Sequence, residues 1–245
     1  MASRAIVIFL LASGLTTANA AVVWKGREST LNASYLVGAG PVMHSDNVID
    51  TSDSMTDRFA MAIAGSDAAS GVLLGQPWSG ALTYSAAHEF AVFGSPQNLA
   101  AITSSGSSNA SATFTGGTSI GVNVRAPGNS WALEFDVTGP TPYTLQGSVG
   151  DSNTRNTTAG VQLQRFTVTW VPIELFADTP SFYQTGELAP GQYRIIATAA
   201  ATAGLLVPAA ESVWNLQLTF VPLPPAAWLF AAVLGFWGIS RKKTG

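Results

Sequence analysis

Apolar residues recur at every second position over most of this chain, and that spacing limits the fold more than any other feature. Trp131, Leu133, Phe135 and Val137 alternate with Ala132, Glu134 and Asp136. Successive side chains of an extended strand point to opposite faces, so the pattern predicts a strand with one buried and one wet face. Gly139-Pro140-Thr141-Pro142 reads as a turn. Tyr143, Leu145, Gly147 and Val149 alternate again and are the expected antiparallel partner of the preceding strand, with Gly150-Asp151-Ser152-Asn153 as the next turn. The same period appears at Phe166, Val168 and Trp170, at Tyr193, Ile195, Ala197 and Ala199, and at Trp214, Leu216, Leu218 and Phe220. Residues 59–64, 81–87, 90–93 and 120–124 are earlier strand candidates. Leu188-Ala189-Pro190-Gly191-Gln192-Tyr193 reads as a turn feeding a strand, with Pro190-Gly191 in type II geometry. Residues 103–121, rich in Ser, Gly, Thr and Asn, read as a long loop or a weak edge strand. No amphipathic helix interrupts the series. About ten strands with short turns predict an all-β antiparallel sandwich or jelly roll, each sheet keeping one wet face.

The two ends break the period. Arg4 is the single charge of the first twenty residues, residues 5–15 are apolar apart from Ser13 and Gly14, and Ala18-Asn19-Ala20 places small residues where a signal peptidase reads them. This is a secretory signal, expected as a helix over residues 1–20, with cleavage leaving Ala21 as the first residue. A buried N-terminal helix is the plainer alternative. At the other end, residues 226–239 form an apolar run preceded by Pro222, Pro224 and Pro225 and followed by Arg241, Lys242 and Lys243. The prolines stop the preceding strand. Trp228 and Trp237 stand near the ends of the run as interfacial aromatics do, and the three cations form a basic stop. Lysine and arginine stems lengthen the effective span by snorkelling, so a single C-terminal transmembrane helix is expected. The chain divides into a signal (residues 1–20), a β-sandwich domain (21–220) and a tail (221–245).

Val221-Pro222-Leu223-Pro224-Pro225-Ala226-Ala227-Trp228-Leu229-Phe230, with the apolar segment and the Arg-Lys-Lys end, resembles the PEP-CTERM sorting signal in its V-P-L-P-A form. Leu223 stands where the common form has glutamate, and Pro225 is an additional proline. The resemblance covers about a tenth of the chain. It implies recognition by exosortase, a membrane enzyme of Gram-negative bacteria that make exopolysaccharide. Cleavage near the motif and transfer of the body to the cell surface or extracellular matrix would follow. A plain C-terminal membrane anchor is the other reading.

Composition narrows the rest. Four of the 11 basic residues lie in the two ends, which leaves 7 against 14 acidic residues in the body, a formal charge of −7. Such a body offers no electrostatic footprint for nucleic acid. The absence of cysteine excludes disulfides, thiol catalysis and Cys-based zinc sites.

Catalytic patterns fail on inspection. Gly117-Thr118-Ser119-Ile120-Gly121 has the G-x-S-x-G spacing, but no histidine follows His88, so a Gly/Ser turn opening a strand is expected. His88-Glu89 begins like a zinc-protease helix, but Val92 stands where the second histidine belongs. His44 is the only other imidazole. Glu134 and Asp136 share one face of a strand and are expected on a polar outer surface, although two carboxylates are also what glycoside hydrolysis uses. Asp46, Asp50, Asp53 and Asp57 are weak calcium candidates, since they lack the alternate spacing and the glycine of a calcium loop, and a solvated acidic loop is the plainer reading. Asn32-Ala33-Ser34, Asn109-Ala110-Ser111 and Asn156-Thr157-Thr158 match the glycosylation triplet by composition alone. Trp24, Trp78, Trp131, Trp170 and Trp214 are expected mostly in the core. No cofactor is expected.

The function expected is that of an exported, non-enzymatic surface or matrix protein. Signal peptidase and an exosortase-like enzyme would process it, and its structural or adhesive role would be linked to exopolysaccharide. A carbohydrate-binding sandwich is the alternative, to be favoured by exposed aromatics on one face or rim, and a secreted hydrolase is the second.

Overall fold

In the computed structural model the period-2 segments become long strands that alternate between two sheets. Residues 20–221 are described, apart from 40–41, 53–55, 117–120, 153–156 and 205; at 39, 42–52 and 121–127 the description is of backbone alone. The strands are β1 (Val22–Ala39), β2 (Val42–Ser52), β3 (Arg58–Leu73), β4 (Gln76–Ser95), β5 (Asn98–Gly116), β6 (Gly121–Val137), β7 (Thr141–Asp151), β8 (Thr157–Phe166), β9 (Trp170–Ala177), β10 (Phe182–Leu188), β11 (Gly191–Gly204) and β12 (Ala209–Phe220). One six-stranded sheet runs β2-β1-β6-β11-β8-β9 and the other β10-β7-β12-β5-β4-β3. Every strand pairing is antiparallel. The expected signal and transmembrane helices lie outside the described residues, among which no helix is long and apolar enough to cross a membrane.

Four local expectations are corrected. The strands flanking Gly139-Pro140 are not partners: β6 lies between β1 and β11, and β7 lies between β10 and β12 in the other sheet. The turn carries the chain across the sandwich, so Trp131, Leu133 and Phe135 meet Leu145 and Val149 face to face in one core. Phe166, Val168 and Trp170 do not form a strand; they flank and cap the β8–β9 hairpin, where Phe166 pairs with Trp170. Residues 103–116 are neither loop nor edge but the greater part of β5, a strand that lies between β12 and β4. Finally, Gly191 has φ 155°, wide of the roughly +80° of a type II turn.

Small residues in β5 are what its central position requires. A Cβ on Gly106 would overlap the ring of Trp214 from β12, whose Cε2 would lie only 2.7 Å away. Glycine lets that indole lie flat on the strand. Similarly, Gly147 of β7 lies under Phe182 and the backbone of β12.

The core has three zones. Toward one end, Trp24, Phe90, Leu99, Ile102, Trp131, Phe135, Leu145, Tyr193, Leu216 and Phe220 form an aromatic-rich cluster from both sheets. Burial of each such side chain contributes roughly 1.5–3 kcal/mol. Toward the other end the inner face is mostly alanine around Trp78, Leu82 and Tyr84. Between them runs a polar belt that ties the sheets together. Ser108 donates to the Ala199 carbonyl (3.2 Å) and Ser212 to the Thr158 carbonyl (2.8 Å). The Asn129 amide donates to the carbonyls of Ala87 and Ser107 (2.8 and 3.0 Å) and its Oδ1 meets His88 Nδ1 at 2.8 Å.

Two bulges shape the β1–β6 pairing of the first sheet. Pro127 has no N–H to donate to a ladder, and the register of β6 slips there against both neighbours, between Asn32 and Ser34 on one side and Ala199 and Thr202 on the other. Asn32 Oδ1 accepts the Gly128 N–H at 2.7 Å and so satisfies a donor at the bulge. A second slip between Trp24 and Gly26 leaves Lys25 outside the ladder, where its ammonium meets Asp136 at 2.9 Å.

Candidate functional site

Both termini of the described body are tied to one corner, the β6–β7 crossover. Ala21 donates to Thr138 Oγ1 (2.8 Å) and accepts from the Thr138 N–H (3.0 Å). Gly139 packs against Ala20. Four residues on, the Pro142 carbonyl accepts the Val221 N–H at 2.9 Å as the chain leaves β12. The corner has braces on either side. Trp24 N–H donates to the Pro96 carbonyl at 2.8 Å, joining the sheets at the β4–β5 turn. The Tyr193 hydroxyl donates to the Ala189 carbonyl at 2.8 Å, four residues upstream, in the manner of the tyrosine corners of β-sandwiches. This is the structural content of the Leu188-to-Tyr193 segment. Arg165 donates to the adjoining Pro190 carbonyl at 3.1 Å.

Of the residues singled out in the sequence, Ala20, Ala21 and Val221 therefore come together at this corner. Ala18, Pro222, Leu223, Pro224, Pro225, Arg241, Lys242 and Lys243 lie outside the described residues.

A second surface lies on the outer face of the first sheet, toward the same end. The guanidinium of Arg194 in β11 sits 4.4 Å from the ring centre of Trp170 in β9. Its Nε donates to Gln164 Oε1 at 2.7 Å, and Gln164 donates in turn to Gln162 at 2.6 Å, both on β8. Phe166 meets Trp170 edge-on, with centroids 5.3 Å apart and planes at 63°. Half-buried Trp170 is thus set in a frame of amide and guanidinium groups. Trp24, Trp78, Trp131 and Trp214 are core residues.

His88 is buried in the polar belt rather than placed at a surface. Both Asn129 amide hydrogens are committed to carbonyls, so its Oδ1 accepts from Nδ1–H, which fixes a proton on Nδ1. Burial holds its pKa below the ordinary value, with nearby Arg27 acting in the same direction and the Asn129 bond opposing. Among the described residues, Nε2, the Ser29 hydroxyl and the Trp131 N–H have no hydrogen-bond partner. Arg27, itself buried, stacks on Phe59 and Phe90 at 4.0 and 4.6 Å.

The remaining candidates are dispersed. Glu134 and Asp136 alternate outward on β6 as expected, with Asp136 paired to Lys25. Glu89 is exposed and accepts from Ser105 at 3.2 Å. Gly121 opens β6, while residues 117–120 lie outside the described set. His44, Asp46 and Asp50 stand on β2 opposite Val37, Tyr35 and Leu31. Asp53 falls outside the described residues, and exposed Asp57 lends its carbonyl to the Val92 N–H (2.8 Å). Among the described residues, no group of three or more His, Asp or Glu is placed to hold a metal ion.

Two carboxyl contacts escape a reading of the sequence. Tyr143 of β7 donates across the sandwich to Glu174 of β9 at 2.8 Å. Burial, then that bond, pushes its hydroxyl well above the ordinary pKa. At the far end, Asp178 takes a positive φ of 48°, and hydrogen bonding with Asp151 raises its pKa. No protein-family model matches the chain, and no curated protein matches it in sequence.

Proposed function

We propose that this chain is an exported, non-enzymatic protein of the cell surface or extracellular matrix, with a structural or adhesive role linked to exopolysaccharide. Signal peptidase trims it at Ala21, and an exosortase-like membrane enzyme reads and processes the tail that begins at Val221. The body between them is the delivered cargo. The observation that carries the reading is the shared corner. Ala21 and Val221 are hydrogen-bonded to Thr138 and Pro142 of one crossover. Both processing points therefore leave the sandwich on the same side, and the sorting motif follows β12 with no intervening linker. A folded body held this way presents both cut sites to one membrane without unfolding. Replacing Pro222, Leu223 and Pro224 with alanine should leave the protein in the membrane fraction. Release equal to that of the unaltered chain would contradict the assignment.

A second reading, carbohydrate binding, draws on Trp170 in its frame of Arg194, Gln164 and Gln162. An aromatic face flanked by amide and guanidinium donors suits a sugar ring. The 63° angle between Phe166 and Trp170 limits the stacking platform to one ring, which keeps this reading second. Glycan-array binding by residues 21–221 that disappears in Trp170→Ala would put it first, and an array without signal would discard it.

A further inference from the structure

The β8–β9 hairpin ends in water with apolar side chains. Val168 is 87% exposed, and Phe166 and Val171 are 41% and 43% exposed. The tip is tightly made, the Thr167 N–H donating to the Thr169 carbonyl at 3.1 Å, so these side chains are held outward rather than folded onto the sheet. Strand register places the tip at the same end as the chain's exit. Arg165 pairs with Tyr193 and Gly191 with Val137 in one sheet, while Leu188 pairs with Thr141 and Phe220 with Tyr143 in the other. Val221, 48% exposed, leaves from this end.

Chain length then limits what can lie opposite that end. Only five Cα steps separate Val221 from Ala226, where the apolar run begins. Even a fully extended chain spans no more than about 18 Å over that distance. If the run occupies a bilayer, the end of the sandwich must sit within reach of the headgroup layer, where half-apolar protein tips and tryptophan are favoured.

We infer that this end of the sandwich rests on the bilayer while the tail is attached, with Val168, Phe166 and Val171 in the headgroup region as a second contact beside the tail. The inference rests on the membrane-intermediate reading of the tail given above. The contact orients the body, so that the corner bearing Val221 faces the membrane where a processing enzyme would meet it. It also makes the attachment reversible, since removal of the tail leaves only a small apolar tip, too little for stable binding.

The chain contains no cysteine, so single labels can be placed without background. Val168→Cys and, at the opposite end, Leu206→Cys (94% exposed) are each labelled with an environment-sensitive fluorophore in the full chain. The chain is then mixed with vesicles of phosphatidylethanolamine and phosphatidylglycerol carrying a lipid-borne quencher. In chains that float with the vesicles, the label at 168 should shift to the blue and be quenched several-fold more than the label at 206. Equal quenching at the two positions in floating chains overturns this inference and leaves the sorting reading standing. Failure of the full chain to float overturns both.

Discussion

At the scale of single residues, the core depends on positions where one atom decides whether a large side chain can be seated. Gly106 is the sharpest, because its missing side chain is the space that Trp214 fills. Gly106→Ala should destabilise the protein by about 1–3 kcal/mol, the usual cost of overpacking a closed core, read as a lowered urea midpoint. His88 makes a different prediction. Its folded pKa lies below the ordinary 6.5. As pH falls the unfolded chain binds the proton first, so its contribution to stability is complete above that value and is lost as pH drops below it. The urea midpoint should fall between about pH 7.5 and pH 5.5, and His88→Gln should flatten that dependence. An unchanged slope in the variant would place the titrating group elsewhere.

At the scale of elements, the tyrosine corner joins β10 to β11 beside the exit of β12. Tyr193→Phe keeps the ring against Phe135 (5.8 Å between centroids) and removes only the hydroxyl. It should cost about 0.5–1.5 kcal/mol, the net worth of one hydrogen bond, measured by equilibrium unfolding. A cost near zero would mean the bond to Ala189 does not brace the corner. How much of each element could be read in the sequence follows from its inner face. The start of β11 and the end of β12 put large apolar residues inside, so the period is visible at Tyr193, Ile195, Leu216 and Leu218. In β5 beyond Ile102 the buried positions are Ser104, Ser108, Ala110 and Ala112, side chains too small or too polar to mark a face, and that stretch reads as loop. The period misleads at the β8–β9 tip, where Val168 continues the alternation by being apolar while wholly in water. A crossover also reads like a hairpin, since both need only a short Gly/Pro turn, and that is why β6 and β7 look paired in sequence. The proposed sorting tail is a contiguous motif and so can be sought in the sequence alone. The Trp170 surface draws on β8, β9 and β11, and the contact of Tyr143 with Glu174 joins opposite sheets, so neither leaves a local pattern.

At the scale of the whole molecule, three features accord with the proposed export of the body. It is free of cysteine, it is net acidic between its expected processing points, and the two ends of the described body, Ala21 and Val221, lie at one corner. Stability must come from burial and from the polar belt rather than from covalent staples. The direct test is the intact mass of the protein extracted from the cell surface. The account predicts a species that starts at Ala21 and has lost the apolar run at residues 226–239. A surface form that retains that run would contradict it.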